Sequence, residues 1–166
     1  TSTQAQTLTL NTGYTGATTV SIGDGDTVTN TANIALTVNA KSNVFDNSTT
    51  VTGGTGTVDT INITAVSSTV ELDSVTLIEQ INVLPGTVGT EDVTIDVNSA
   101  DATVASGKTL TVDASALTNT GAVLTFTGTG ETNGYFDVTG GAGNDSLTGG
   151  SAGDTLSGGA GVDSIN

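Results

Sequence analysis

The sequence predicts an all-β fold, a parallel β-solenoid, on three observations. Apolar residues alternate with Thr, Ser and Asn at period two along most of the chain, and helical periodicity is almost absent. A nine-residue unit recurs three times at the C-terminal end: GGAGNDSLT from Gly140, GGSAGDTLS from Gly149 and GGAGVDSIN from Gly158. Of 166 residues only 3% are aromatic, and Trp, Met and Cys are missing. Large side chains supply most of the burial in a conventional core. Narrow stacked coils, in contrast, fill with ladders of Val, Ile, Leu and Ala.

In chain order, strands are expected at Thr7 to Leu10, Thr27 to Thr29, Ile34 to Val38, Asp59 to Thr64, Val93 to Val97, Lys108 to Val112 and Val123 to Thr127. Each is short, rich in β-branched residues and bounded by Gly, Asn, Asp or Ser. The lone proline, Pro85, precedes Gly86 between two strands, where a missing N–H does no harm. Val70 to Gln80 has some helical look, but its β-branched content argues against a helix. A looser unit of glycine turn, aspartate and alternating aliphatics begins at Ser21, Val51, Leu84 and Thr127, with Asp26, Asp59 and Asp92 equally spaced and Asp137 off that spacing. One coil per unit would make a solenoid; short Thr-rich strands also fit an immunoglobulin-like sandwich. The expected organisation is a Thr-rich solenoid region over 1–130 and a β-roll of nonapeptides over 131–166.

The terminal unit explains itself residue by residue. Six residues make a turn in which glycines permit close backbone approach, and three make a strand whose middle aliphatic (Leu147, Leu156, Ile165) points inward. Successive units then alternate sides, so every second unit stacks on one edge at about 4.8 Å. Asp145 comes to lie over Asp163, with Asp154 on the opposite edge. Two carboxylates so close repel, and a hard dication taking about 6–8 oxygen ligands resolves the repulsion. Calcium is therefore expected, held by Asp145 and Asp163 with carbonyls of Gly140, Gly141, Ala142 and Gly143 above and Gly158, Gly159, Ala160 and Gly161 below. G-G-x-G-x-D-x-U-x is indeed the pattern of calcium-binding β-roll repeats. Without His or Cys, zinc and copper are poor candidates. The second site is less regular: Ala152 stands where a glycine belongs, and Asp154 would have to pair with Asp137, Asn133 or Glu131. Upstream, Asp59 is a weaker ligand candidate, and Asp24, Asp26 and Asp92 read first as turn residues accepting backbone N–H groups.

Charge and composition exclude other functions. Seventeen acidic residues face Lys41 and Lys108, a net charge of −15 that repels nucleic acid and anionic membranes. No apolar run reaches the roughly 18 residues of a transmembrane helix. Gly149 to Gly153 matches the G-x-S-x-G nucleophile pattern, but a chain with no His cannot build a Ser-His-Asp triad. Glu91 and Asp92 lack the aromatic platforms of a sugar hydrolase. The chain reads as non-enzymatic. Thr-x-Thr triplets (Thr27/Thr29, Thr109/Thr111, Thr125/Thr127) suggest an ice-matching face, against which their irregular spacing argues. The chain opens in TSTQAQTLTL, with no leader-like segment, and ends in mid-repeat after Ile165, so it reads as a segment of a longer protein.

The terminal block resembles the RTX (repeats-in-toxin) family of bacterial proteins exported by type I secretion. LTVDASALTNTGAVLTFTG with VTGGAGNDSLTGG, GGTGTVDTINITA and VTLIEQINV are similar to the C-terminal part of calcium-dependent bacterial surface-layer (S-layer) proteins. The resemblance implies a right-handed parallel β-solenoid (β-helix) running into an RTX calcium β-roll, several Ca²⁺ ions, secretion to the bacterial cell surface and self-association into a lattice. Carried over by position, the matched turn aspartates are Asp145, Asp154 and Asp163, and more weakly Asp59. Any contact with cell-surface polysaccharide would lie in other parts of the parent protein. The alternative is a segment of a large RTX adhesin that binds a surface or glycan.

Overall fold

The structure, a computed structural model, describes residues 4–46, 48–97 and 103–166. In chain order its strands are β1 (Thr7–Leu10), β2 (Thr18–Ser21), β3 (Thr27–Asn30), β4 (Leu36–Lys41), β5 (Thr50–Thr52), β6 (Thr60–Thr64), β7 (Ser68–Glu71) and β8 (Val75–Thr76). They continue with β9 (Gln80–Leu84), β10 (Val93–Asp96), β11 (Thr109–Asp113), β12 (Leu124–Thr127), β13 (Tyr135–Thr139), β14 (Ser146–Thr148), β15 (Thr155–Ser157) and β16 (Ser164–Ile165). The one helical element among the described residues is a 3-10 turn at Ser42–Val44. Val70 to Gln80 forms β7, β8 and the start of β9 rather than a helix, as its β-branched residues favour.

Three sheets result, with orders β1-β3-β5-β8, β15-β13-β11-β9-β6-β4-β2 and β16-β14-β12-β10-β7. Every strand pairing among the described residues is parallel. An immunoglobulin-like sandwich is built from antiparallel sheets, so that alternative fails. From β1 to β6 the chain steps between the four- and seven-stranded sheets, and from β9 onward between the seven- and five-stranded sheets. Between them, β7 opens the five-stranded sheet and β8 closes the four-stranded one. This nearly all-β, parallel arrangement is consistent with a β-solenoid. Both larger sheets run without a break across residue 130.

The rungs are unequal. Thr18 pairs with Leu36, a step the length of two nonapeptides, whereas the much longer step from Gln80 ends at Thr111. The equal spacing of Asp26, Asp59 and Asp92 is therefore not a rung length. These residues precede β3, β6 and β10, one in each sheet. The nonapeptides behave as expected: β14, β15 and β16 fall on the last three positions of their units, and alternate units stack on the same sheet.

Inward positions form aliphatic ladders. On the seven-stranded sheet Val38, Ile61, Ile81, Val112 and Val138 lie in register, all fully buried. Val70, Ile95, Phe126 and Leu147 form a second ladder on the five-stranded sheet, also fully buried. Near-identical side chains repeat at one strand spacing, so each methyl layer meets its counterpart. Phe126 and Phe136 interrupt the aliphatics as an edge-to-face pair, centroids 4.9 Å apart at 75°. Gly128 makes room for them, since a Cβ there would stand 2.4 Å from the Phe136 ring.

Truncating this pair should be severe. Phe126→Ala is expected to destabilise the chain by about 3–5 kcal/mol, whereas Val88→Ala, at a position 74% exposed, should be near neutral. Urea denaturation followed by circular dichroism measures both, and equal midpoints would contradict the packing described.

Candidate metal centre

The Ser146↔Ser164 and Leu147↔Ile165 register lays the turn 140–145 against the turn 158–163. The Asp145 carboxylate is buried, 1% exposed. Its Oδ1 accepts the Leu124 N–H at 2.7 Å, from the preceding rung, and its Oδ2 accepts the Gly141 N–H at 2.6 Å, from its own turn. Asp163 Oδ1 in turn accepts the Asp145 N–H at 2.9 Å. The two aspartates predicted to stack are thus directly linked. Asn144, which has no place in the predicted donor set, joins the same turns by accepting the Val162 N–H at 2.9 Å.

Burial pushes the Asp145 carboxyl above its ordinary value of 3.8. The Leu124 and Gly141 N–H groups pull it back, and the negative charge of Asp163 raises it further. The folded chain therefore holds this proton more tightly than the unfolded one. Stability from Asp145 is full below the ordinary value and is lost as pH rises through the raised one.

The glycines are required by close approach. A Cβ on Gly140 would stand 2.3 Å from Asp145 Oδ2 and 2.3 Å from the Gly158 carbonyl oxygen. Gly143 lies under the Ala122 carbonyl, Gly159 under that of Gly141 and Gly161 under that of Gly143, each too close for a side chain. Gly159 and Gly161 also have φ of +88° and +123°. Ala142 and Ala160 tie the stack together by donating to the carbonyls of Leu117 (2.8 Å) and Gly141 (3.0 Å). The turns are a stack of carbonyl oxygens with two carboxylates beside it, a donor set of hard oxygen alone.

The middle turn lies on the opposite side. Asp154 Oδ1 accepts the Phe136 N–H at 2.8 Å and Oδ2 the Gly150 N–H at 2.7 Å. Asp137 sits exposed on β13, in register with Thr111 and Thr155, rather than in a turn. Glu131 is fully buried. Its carboxylate accepts the N–H groups of Asn133 (3.1 Å), Gly134 (2.9 Å) and Val104 (3.2 Å), while its carbonyl accepts the Ser151 N–H. Glu131 does in its turn what aspartate does in the others, a role signalled only by an acid three residues before Gly134.

Upstream turns repeat the scheme. Asp26 accepts N–H groups from Gly23 (2.8 Å) and Gln6 (2.7 Å). Asp59, fully buried, accepts them from Gly54 and Leu36 (2.7 Å) and takes the Asn30 side-chain amide as well. Asp92 differs in accepting from Val123 at 3.0 Å, in the following rung. Among the described residues no three acidic side chains converge on one point. A cation here would be held by two carboxylates and backbone carbonyls.

No protein-family model, curated protein or solved structure matches the chain.

Two predictions arise. Gly140→Ala should unfold the terminal rungs, whereas Gly153→Ala, where a Cβ would meet nothing within 4 Å, should not; amide exchange across β14 to β16 separates the two. In calcium-free buffer, acidification from neutrality into the carboxylate range should raise the melting midpoint more for the wild type than for Asp145→Asn. A nuclear magnetic resonance titration placing Asp145 at or below 3.8 would contradict this.

Proposed function

We propose that the chain is a structural, non-enzymatic segment of a secreted bacterial S-layer protein: a right-handed parallel β-solenoid whose last rungs form an RTX-type calcium β-roll. The observation that carries this reading is the stacked Asp145 and Asp163 turn pair, with its glycine cradle and all-oxygen donor set. Asp145 and Asp163 would hold the ion together with carbonyls of the Gly140 to Gly143 and Gly158 to Gly161 turns. Ca²⁺ suits such a set because it accepts many oxygens in flexible geometry. Bound there, it supplies positive charge that offsets the repulsion between the two aspartates.

The protein's own residues do the rest. Each carboxylate oxygen carries two lone pairs, so accepting one N–H leaves acceptor capacity. At Asp59 the Asn30 amide fills that capacity; at Asp145 the nearest acidic neighbour is Asp163. The acid in the turn stacked on that of Asp154 is Glu131, whose carboxylate is already taken up by the N–H groups of Asn133, Gly134 and Val104, and calcium is therefore assigned to the first site. The net charge of −15 works against close packing of copies until cations are bound, which makes calcium the trigger for lattice assembly as well as for folding of the terminal rungs.

Calcium titration of one sample, followed by circular dichroism, scattering and electron microscopy, tests the reading. β-Structure should rise with added Ca²⁺ and ordered sheets or filaments should form. Asp145→Ala should weaken the response far more than Asp113→Ala, whose carboxylate accepts the Ser115 N–H in its local turn. A spectrum indifferent to millimolar calcium and to chelator would sink the proposal; a calcium-folded monomer that binds glycans or cells would assign the chain to an adhesin instead.

A further inference from the structure

The four-stranded sheet carries two ranks of threonine on its outer face. Thr7, Thr27 and Thr50 form one, in register across β1, β3 and β5. Thr9, Thr29, Thr52 and Thr76 form the other across β1, β3, β5 and β8. Leu8, Val28, Val51 and Val75 pack inward, so alternation turns all seven threonines outward. Along the chain the steps from Thr9 to Thr29, from Thr29 to Thr52 and from Thr52 to Thr76 are all different. The triplets singled out in the sequence do not share a face, since Thr27/Thr29 lies on this sheet, Thr109/Thr111 on the seven-stranded sheet and Thr125/Thr127 on the five-stranded one. Within the four-stranded sheet, however, the extra residues lie in the turns and the rung itself is shared.

Three properties define this face. First, β1, β3, β5 and β8 contain no charged residue although the chain has 17 acids. The outer faces of the other sheets carry Lys41, Asp113 and Asp137, or Glu71 and Asp96. Second, Asn39, Asn62 and Asn82 on the seven-stranded sheet hydrogen-bond to one another at 2.9 and 2.8 Å. Among the described residues none of the seven threonine hydroxyls has a protein partner. Third, no aromatic residue lies on these strands.

We infer that this face binds ice. Hydroxyl and methyl groups repeat about 6.7 Å apart along each strand and about 4.8 Å apart between strands, close to oxygen repeats on faces of hexagonal ice. Threonine is stiff at χ1, so little side-chain freedom is lost on docking. An ionic partner has no charge to meet here, and a sugar lattice has no aromatic platform to stack on. Ordered water requires neither; it needs a regular, uncharged array of hydroxyls and methyls held by a rigid sheet.

The full chain in calcium buffer should arrest coarsening of ice grains in a recrystallisation assay and facet single ice crystals. Thr29→Lys, at the centre of the face, should raise the concentration needed by roughly tenfold. Thr94→Lys, outward on the five-stranded sheet, should leave it unchanged. Thr29→Ser, which keeps the hydroxyl and loses the methyl, gives a partial loss and serves if the lysine variant fails to fold by circular dichroism. Grain growth equal to that with a non-binding protein would overturn the inference, as would equal losses from Thr29→Lys and Thr94→Lys, or retention on crystalline cellulose or chitin with no effect on ice.

Discussion

The structure depends on one repeated contact. An acidic side chain in a glycine turn accepts one N–H from its own turn and one from the rung before it. Asp26 joins Gly23 to Gln6, Asp59 joins Gly54 to Leu36, Asp145 joins Gly141 to Leu124 and Asp154 joins Gly150 to Phe136. Glu131 does the same with Gly134 and Val104. Parallel rungs have no hairpin to fix their register, so something else must set where each strand begins. The carboxylate does so, because its two oxygens measure one turn against the last. Charge-assisted bonds of this kind are about twice as strong as neutral ones, which suits a chain with so few large side chains.

The same contact creates the central electrostatic problem. Each staple puts a negative charge into a poorly hydrated turn, and there are only two lysines for 17 acids. The turns answer differently. Asp59 meets the neutral Asn30 amide, whereas Glu79, which accepts the Asp59 N–H at 2.8 Å, is raised by its own burial and by the charge of Asp59. Asp145 meets the Asp163 carboxylate as Asp59 meets Glu79, but without a side-chain amide to offset it. Of these settings the last, with no neutral amide beside the carboxylates, gains most from an external cation.

Much of this could be read from the residues. Period-two alternation marked β1, β3, β6, β10, β11 and β12 to within about two residues, and the nonapeptide placed β14, β15 and β16 and the stacking of Asp145 on Asp163. What was illegible came from rung length. The equal spacing of three aspartates looked like a period, yet the step from Thr18 to Leu36 is far shorter than that from Gln80 to Thr111. Nor could sequence reveal that Glu131 replaces aspartate in its turn. Its extra methylene lets it bond the N–H groups of Asn133 and Gly134, two and three residues ahead, rather than a glycine behind it. Asp137 misled for the opposite reason: one residue late, it falls on strand alternation and faces out.

Unequal rungs and regular faces are compatible because variation is confined to the turns. Inserted residues lengthen a loop at small entropic cost, but a one-residue slip within a strand would expose a whole aliphatic ladder. Core packing thus fixes inward positions such as Val28 and Val51, and alternation carries that regularity to Thr27, Thr29, Thr50 and Thr52 outside. The outer array is periodic as a consequence of the core, whatever lies against it. What distinguishes one face from another is then chemistry alone: asparagines hydrogen-bonded to one another on the seven-stranded sheet, acids at Glu71 and Asp96 on the five-stranded sheet, and uncharged ranks of threonine on the four-stranded one. A chain that sets register through acidic turns can therefore keep a neutral face, since the charges needed for folding sit at the turns rather than on the strands.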